Sequence, residues 1–253
     1  MKIKPFLSKK KEGVRMLKTY KIAGLTVRMD TFGKTEKQAE KFECDHSDSC
    51  DIAVDGERFS KVVPEELVGP DSAEYMRTGA DFYNKLLNFD GMLLHSSAVV
   101  YEGKAYLFTA PSGTGKSTHT RLWCENFEGA FILNDDKPAL RSEDGVWYAY
   151  GTPWSGKTNL NVNLRVPLGG IAVVERNKDN SIVPLKGRKA LFAILNQTVR
   201  PHSSELRLKL TQLLSDLLTE VPVWLLRCNT DKEAAFVSKE AMTRFKKDDI
   251  YEN

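Results

Sequence analysis

The chain has 253 residues, 41% of them hydrophobic and 28% charged, with a formal net charge of +3. This is the composition of an ordinary folded protein, with room for one large domain or for a catalytic domain and a smaller companion. It excludes a disulfide-stapled miniature and a low-complexity chain, gives little reason to expect a polyanionic partner such as nucleic acid, and contains no apolar run of the roughly 18 residues a membrane span needs.

The first stretch is basic. Lys2, Lys4, Lys9, Lys10, Lys11, Arg15, Lys18 and Lys21 stand there with Glu12 as their only acid. Residues 1–20 read as a solvated arm, with an arm that meets an acidic protein, nucleic acid or a membrane as the alternative. No apolar segment follows the charges, so a secretory signal is not expected and a cytoplasmic location is. Cys44, Cys50, Cys124 and Cys228 are then expected as free thiols, with Cys124 and Cys228 acting as small apolar residues.

Alternation predicts a strand over Tyr20–Asp30, and the polar run Thr31–Asp51 reads as a long loop. Asp51–Val54 is a short strand before Asp55-Gly56. Tyr75, Met76, Phe82, Leu86 and Leu87 share helical spacing within a helix over Ser72–Phe89. A strand over Met92–Tyr101, a turn at Glu102-Gly103 and a strand over Lys104–Thr109 follow. Next come a glycine-containing loop, a helix over Lys116–Asn126 and a strand over Ala130–Leu133. Pro138–Arg141 and Val146–Tyr150 flank Glu143-Asp144-Gly145 as a hairpin. Gly169–Glu175 and Ile182–Leu185 read as a strand pair. Helices over Arg188–Leu195 and Ser203–Thr219, a strand over Val221–Cys228 and a helix over Asp231–Phe245 complete the chain. Leu206, Leu208, Leu210, Leu213, Leu214, Leu217 and Leu218 make the Ser203–Thr219 helix broadly apolar, for the core or for another subunit.

The loop Ala110-Pro111-Ser112-Gly113-Thr114-Gly115-Lys116-Ser117-Thr118 fits the phosphate-binding pattern, with Ala110 where the pattern has glycine. Gly113 and Gly115 permit backbone conformations that turn successive N–H groups inward around an anion, and the helix that follows adds its unpaired N–H groups. Ser112 to Thr118 are therefore the expected nucleotide contacts. Lys116 brings a full charge to the outer phosphates and Ser117 a hydroxyl for Mg²⁺. Downstream, a buried strand ends in Asn134-Asp135-Asp136. One carboxylate there can hold Mg²⁺ and the other can take a proton from an attacking hydroxyl. His95, inside an apolar strand, is a structural residue or an active-site one.

Three weaker features remain open. Cys44, His46 and Cys50 offer zinc-type ligands at a spacing that fits no common framework. Lys157 and Arg165 are either further positive contacts or surface charges. Trp154 is a binding-site aromatic or a core residue.

The strand His95-Ser96-Ser97-Ala98-Val99, the glycine loop and the Asn134-Asp135-Asp136 strand end together resemble HPr kinase/phosphorylase. They resemble above all its shorter relatives, the HPr-kinase-related kinases found beside peptide-modification genes; Tyr150-Gly151-Thr152-Pro153-Trp154-Ser155-Gly156-Lys157 is similar to the signature of that group. The resemblance covers about residues 90–230. It implies a nucleotide fold shared with ATP-dependent phosphoenolpyruvate carboxykinase, ATP and Mg²⁺ as cofactors, His95, Lys116 and Asp136 as catalytic residues, and Ser117 as a metal ligand. The family's metal-binding glutamate has no counterpart within Thr152–Gly156, so Asp135 is expected to take its place.

The expected fold class is therefore α/β, an HPr-kinase-like mixed sheet flanked by helices and containing the phosphate loop, with an N-terminal arm and small α+β region over residues 1–90 and a catalytic domain over 91–253. The expected function is transfer of the γ-phosphate of ATP to a hydroxyl, with serine of a peptide or protein as favoured acceptor. A small-molecule kinase and a non-catalytic nucleotide-dependent regulator are the alternatives. Nucleic acid is not expected as a partner, and a homo-oligomer is left open.

Overall fold

A computed structural model describes residues 17–45 and 49–244 of the chain. The basic residues ahead of Leu17 and the His46 of the cysteine cluster lie outside those residues. The elements are β1 (Lys18–Ile22), β2 (Leu25–Met29), α1 (Gly33–Ala39), β3 (Ile52–Val54), α2 (Glu65–Val68), α3 (Pro70–Leu86), β4 (Gly91–Leu93), β5 (Ser96–Tyr101), β6 (Lys104–Thr109), α4 (Lys116–Asn126), β7 (Phe131–Asn134), β8 (Ala139–Glu143), β9 (Val146–Tyr150), β10 (Arg165–Arg176), β11 (Ser181–Pro184), α5 (Gly187–Leu195), α6 (Ser204–Glu220), β12 (Val223–Cys228) and α7 (Lys232–Arg244).

Two sheets form an α/β structure. The smaller has the order β1-β2-β3. The larger is mixed and curled, and β10 is its pivot. The first residues of β10 pair antiparallel with β9, continuing to β8 and β4; its later residues lie between parallel β6 and parallel β12. The change of partner falls at a register shift between Leu168 and Gly170. A side chain at Gly169 would run into the Tyr106 ring, and one at Gly170 into the Trp224 ring, so the bend needs both glycines. Beyond β6 the order is β5 and then β7, both antiparallel to their neighbours, so β7 runs parallel to β6 but one strand removed.

Several sequence expectations change here. Tyr20–Asp30 is not one strand: Ala23 and Gly24 take positive φ angles of 52° and 77° and turn it into the β1–β2 hairpin. Thr31–Asp51 is not simply a loop, because it contains α1 and a short 3-10 turn over Glu40–Phe42. Met92–Tyr101 divides at Leu94-His95, since β4 pairs with β8 and β5 with β6 and β7. Finally, β10 and β11 are not partners: β12 lies between them, parallel to β10 and antiparallel to β11.

Apolar side chains collect in three clusters. One lies under α5 and α6, where Leu210, Leu213, Leu214 and Leu217 are buried while Leu208 is 67% exposed. A second, around α4 and α7, centres on Trp123, Phe108 and Trp224. The third joins β1, β2 and α3 to Ala139, Tyr150 and Trp154, so the region before residue 90 shares its core with the chain after it.

Candidate active site

The glycine loop leaves β6 at Ala110 and enters α4 at Lys116. Gly113 and Gly115 have φ angles of +80° and +122°, and nothing lies within 4 Å of where their Cβ atoms would stand. The glycines serve backbone conformation here, not packing. Lys116 is buried, and its ammonium donates to the carbonyls of Ala110 (2.9 Å) and Pro111 (3.4 Å), folded back along the loop. Burial lowers its pKa, partly offset by the negative charges of Asp136 and Asp135. Ser117 is half-buried, while Ser112, Gly113 and Thr118 are exposed. Arg176, at the end of β10, donates to the carbonyls of Thr114 (3.0 Å) and Gly113 and so pins the loop from outside.

The acidic pair is presented by Asn134. Its side-chain oxygen accepts the N–H groups of Asp136 (3.1 Å) and Lys137 (2.8 Å), and its amide nitrogen donates to the carbonyl of Thr152 (2.9 Å). This local turn ends β7 and separates the two carboxylates. Asp135 is buried. Its oxygens accept the hydroxyls of Ser97 (2.7 Å) and Thr158 (3.0 Å), and the Ser97 hydroxyl lies 2.7 Å from that of Thr120 on α4. A polar bridge thus links the first turns of α4 to the end of β7.

Asp136 has a different setting. His95 Nε2 lies 3.1 Å from its Oδ1, Tyr75 donates to its Oδ2 (3.2 Å), and the Lys137 ammonium pairs with the same oxygen. Burial works against ionisation, but the His95 bond and the Lys137 charge outweigh it and hold this carboxyl well below the usual range. His95 occupies the break between β4 and β5. Its N–H donates to the Gln197 carbonyl (2.7 Å), and its Nδ1 lies 3.2 Å from the Gln197 side-chain oxygen. The ring is thereby held edge-on to Asp136.

The region before residue 90 supplies groups that the sequence reading had not placed here. Tyr75, read there as part of an apolar helix face, accepts the N–H of Gly156 (2.8 Å) while donating to Asp136. The Lys34 ammonium lies 4.2 Å from the Tyr75 ring centroid and that of Lys137 4.8 Å from it. Gln38 donates to the Gly156 carbonyl (3.1 Å), and Lys41 to the carbonyl and side-chain oxygen of Asn161 (3.0 Å each). The one sequence signal for Lys34 is Gly33-Lys34-Thr35, which repeats the glycine–lysine–hydroxyl order of Gly115-Lys116-Ser117.

A cavity of about 280 Å³ opens beside the loop, lined by Thr114, Thr118, Leu122, Val174, Arg176 and Asn229 among others. His119 and Cys228 also border it. The His119 ring lies 4.5 Å from the Phe108 ring and its Nε2 is 2.8 Å from the Ser238 hydroxyl. Burial drives its pKa down to about 4, leaving the ring neutral.

Three earlier alternatives now have addresses. Trp154 is fully buried, stacked on Phe82 at 4.8 Å, and belongs to the core. Arg165 is engaged elsewhere: it bonds Glu143 (2.8 Å) and lies over the Tyr148 ring at 4.5 Å. Lys157 is exposed and close enough to Lys34 for their charges to repel. Among the described residues no group of three or more His, Cys, Asp or Glu could hold a metal ion; Cys44 and Cys50 are free thiols. No described helix is long and apolar enough to cross a membrane.

Comparison with known proteins yields no match among curated proteins. Among solved structures, the HPr(Ser) kinase/phosphatase from Coxiella burnetii is similar at 10% identity and a TM-score of 0.35, over 60% of this chain and 97% of that one. The family model of the SynChlorMet cassette protein ScmC matches residues 75–237, from the middle of α3 into α7 and through all the strands of the larger sheet. On that match, which takes in well over half of its residues, the chain belongs to the SynChlorMet cassette protein ScmC family.

Proposed function

We propose that the chain is an ATP-dependent phosphotransferase that moves the γ-phosphate to a hydroxyl, with serine of a peptide or protein as the favoured acceptor. The observation that carries this reading is the polar bridge from α4 through Thr120 and Ser97 to Asp135, with Asp136 next to it on His95. It joins a glycine loop with a buried lysine to a pair of carboxylates in different environments, the combination that phosphoryl transfer to a hydroxyl requires. The sequence resemblance to the HPr-kinase-related kinases supports the same reading.

In this proposal the triphosphate lies along Ser112–Thr118, and the nucleoside occupies the neighbouring cavity of about 280 Å³. Lys116 leaves the Ala110 and Pro111 carbonyls for the outer phosphates. Asp136, ionised at any ordinary pH, accepts the proton of the acceptor hydroxyl. The hydroxyl oxygen bonds to the γ-phosphorus as the bond to the β-bridging oxygen breaks, and ADP leaves. A carboxylate held so far down is a weak base while Lys137 stays on it. An incoming γ-phosphate competes for Lys137 and restores basicity at the moment it is needed. Ser117 and Asp135 suit Mg²⁺, which takes hard oxygens from one or two protein groups and the rest from phosphates and water. The ion would neutralise charge on the β- and γ-phosphates.

The test is transfer of label from γ-labelled ATP to serine-containing peptides in the presence of Mg²⁺. The wild-type chain is expected to label the hydroxyl and release ADP. Lys116→Ala should lower turnover on the order of 1,000-fold, since it removes the charge nearest the transferred group. Full turnover in that variant would remove the loop from the mechanism.

A further inference from the structure

The lysines around Asp136 fall into two groups, one on the glycine loop and one gathered at the Tyr75 ring. On the loop side, Lys116 feels Asp136, Asp135 and Lys137. At the Tyr75 ring, Lys34 feels Lys137, Asp136 and Lys157, and burial together with the two lysines lowers its pKa. Lys34 and Lys116 share Asp136 and Lys137 as neighbours, but neither is among the charges acting on the other. In-line transfer brings the acceptor to the γ-phosphorus from the side opposite ADP, so a hydroxyl presented to Asp136 would come close to the Tyr75 ring and the lysines on it.

Those groups are fixed in place. Lys34 lies 4.2 Å from the centroid of the same Tyr75 ring whose hydroxyl touches Asp136. The next residue, Thr35, donates to the buried carboxyl of Glu74 on α3. One turn later Gln38 bonds the Gly156 carbonyl (3.1 Å) and receives the Asn161 amide on its own carbonyl (3.1 Å). The backbone that carries Lys34 is thereby fixed, so less order remains to be imposed when its ammonium meets a ligand. Lys137 is spent on Asp136, whereas the ammonium of Lys34 rests on a ring face and that of Lys157 is exposed. The acid acting on Lys34 is Asp136, already engaged by His95 and Lys137, so an anion brought by a ligand would meet positive charge there.

We propose that Lys34, assisted by Lys157, forms an anion subsite, and that the acceptor carries a carboxylate close to the hydroxyl it presents to Asp136. The subsite rests on the phosphotransferase reading for its purpose, though not for its charge. Lys34 is a positioning and specificity residue supplied by α1, ahead of the segment that the family model matches.

The test uses a short peptide with the core Glu-Ser-Glu, its Gln-Ser-Gln counterpart, and glycerate as a small hydroxy acid. Binding of the fluorescein-labelled peptides is read by anisotropy with a non-hydrolysable ATP analogue present, and transfer is read separately as KM and kcat. The acidic peptide should bind roughly tenfold more tightly than the amide peptide. Lys34→Ala should abolish that difference, raise KM for the acidic peptide and leave kcat and the affinity for the ATP analogue within about twofold; Lys34→Arg should restore most of the preference. Once the Lys34-dependent preference is seen, glycerate phosphorylated better than the acidic peptide would assign the carboxylate to a small molecule, and the reverse order to a peptide. Equal binding of the two peptides, or a preference that survives Lys34→Ala, would overturn it. The binding arm does not require turnover. Acidic preference without transfer to any acceptor would leave the subsite standing and sink the phosphotransferase reading.

Discussion

Glu74 and Asp136 are carboxyls some 60 positions apart in sequence, and their surroundings push them in opposite directions. Asp136 is surrounded by donors and stays charged. If Asp136 is the base, as proposed, Asp136→Asn keeps the shape and removes it, so kcat should fall roughly 100- to 10,000-fold while the affinity for ATP changes little. Glu74 is buried beneath α1, and desolvation raises its pKa from 4.5 to about 7 despite the Thr35 hydroxyl bond. Between those two values the folded chain holds a proton that the unfolded chain has released. Stability is therefore greatest below the lower value and falls as pH rises through the window. Glu74→Gln should remove that decline and make the protein more stable than wild type at pH 8, by up to about 3 kcal/mol, with little difference below pH 4.5. Denaturant unfolding at several pH values reads this directly; parallel curves for the two proteins would show that Glu74 is not held in its neutral form.

At the scale of the element, the segment 153–159, with its turn over 156–159, decides how the acidic pair is held. Gly156 has φ +70°, and a Cβ there would lie 2.9 Å from that of Asp136. Gly156→Ala is expected to cost roughly 1–2 kcal/mol in backbone strain and to displace the carboxylate. An error of about 1 Å at a reacting group costs on the order of 100-fold, so kcat should suffer far more than stability or ATP affinity. Activity and melting temperature measured on one preparation separate the two effects. Elements whose signals are local were legible in the sequence: the glycine loop and its helix, the Asp144-Gly145 hairpin with both φ angles positive, the Glu102-Gly103 turn and the Asn134-Asp135-Asp136 strand end. Those that failed lacked such signals. Helix α1 buries only Thr35, Gln38 and Ala39, so it has no apolar face to detect. The Ala23-Gly24 turn carries no asparagine or aspartate. Tyr75 reaches Asp136, and Lys34 the Tyr75 ring, through tertiary contacts; beyond the Gly33-Lys34-Thr35 order, nothing along the chain marks them.

At the scale of the molecule, Trp154 ties the two regions together. It stacks on Phe82 of α3 at 4.8 Å, its indole N–H donates to Thr78 (3.3 Å), and it lies against Gly79, where a Cβ would come within 3.0 Å of the ring. The glycine lets helix α3 approach the indole, and the residues on either side of Trp154 lead to Thr152, which supports Asn134, and to Gly156, which abuts Asp136. Trp154→Ala would leave a cavity between the N-terminal elements and the larger sheet, at a cost of about 3–5 kcal/mol. Because the same tryptophan supports α3, and α3 carries Tyr75 and Glu74, the damage should spread unevenly. Hydrogen exchange should quicken first in α1, α3 and the 152–158 segment, while β5, β6, β10 and α4, which draw on the other two clusters, keep their protection. Uniform loss of protection would mean that the two regions unfold as one unit. Loss confined to residues before 90 would mean that the acidic pair is held by the larger sheet without help from α3.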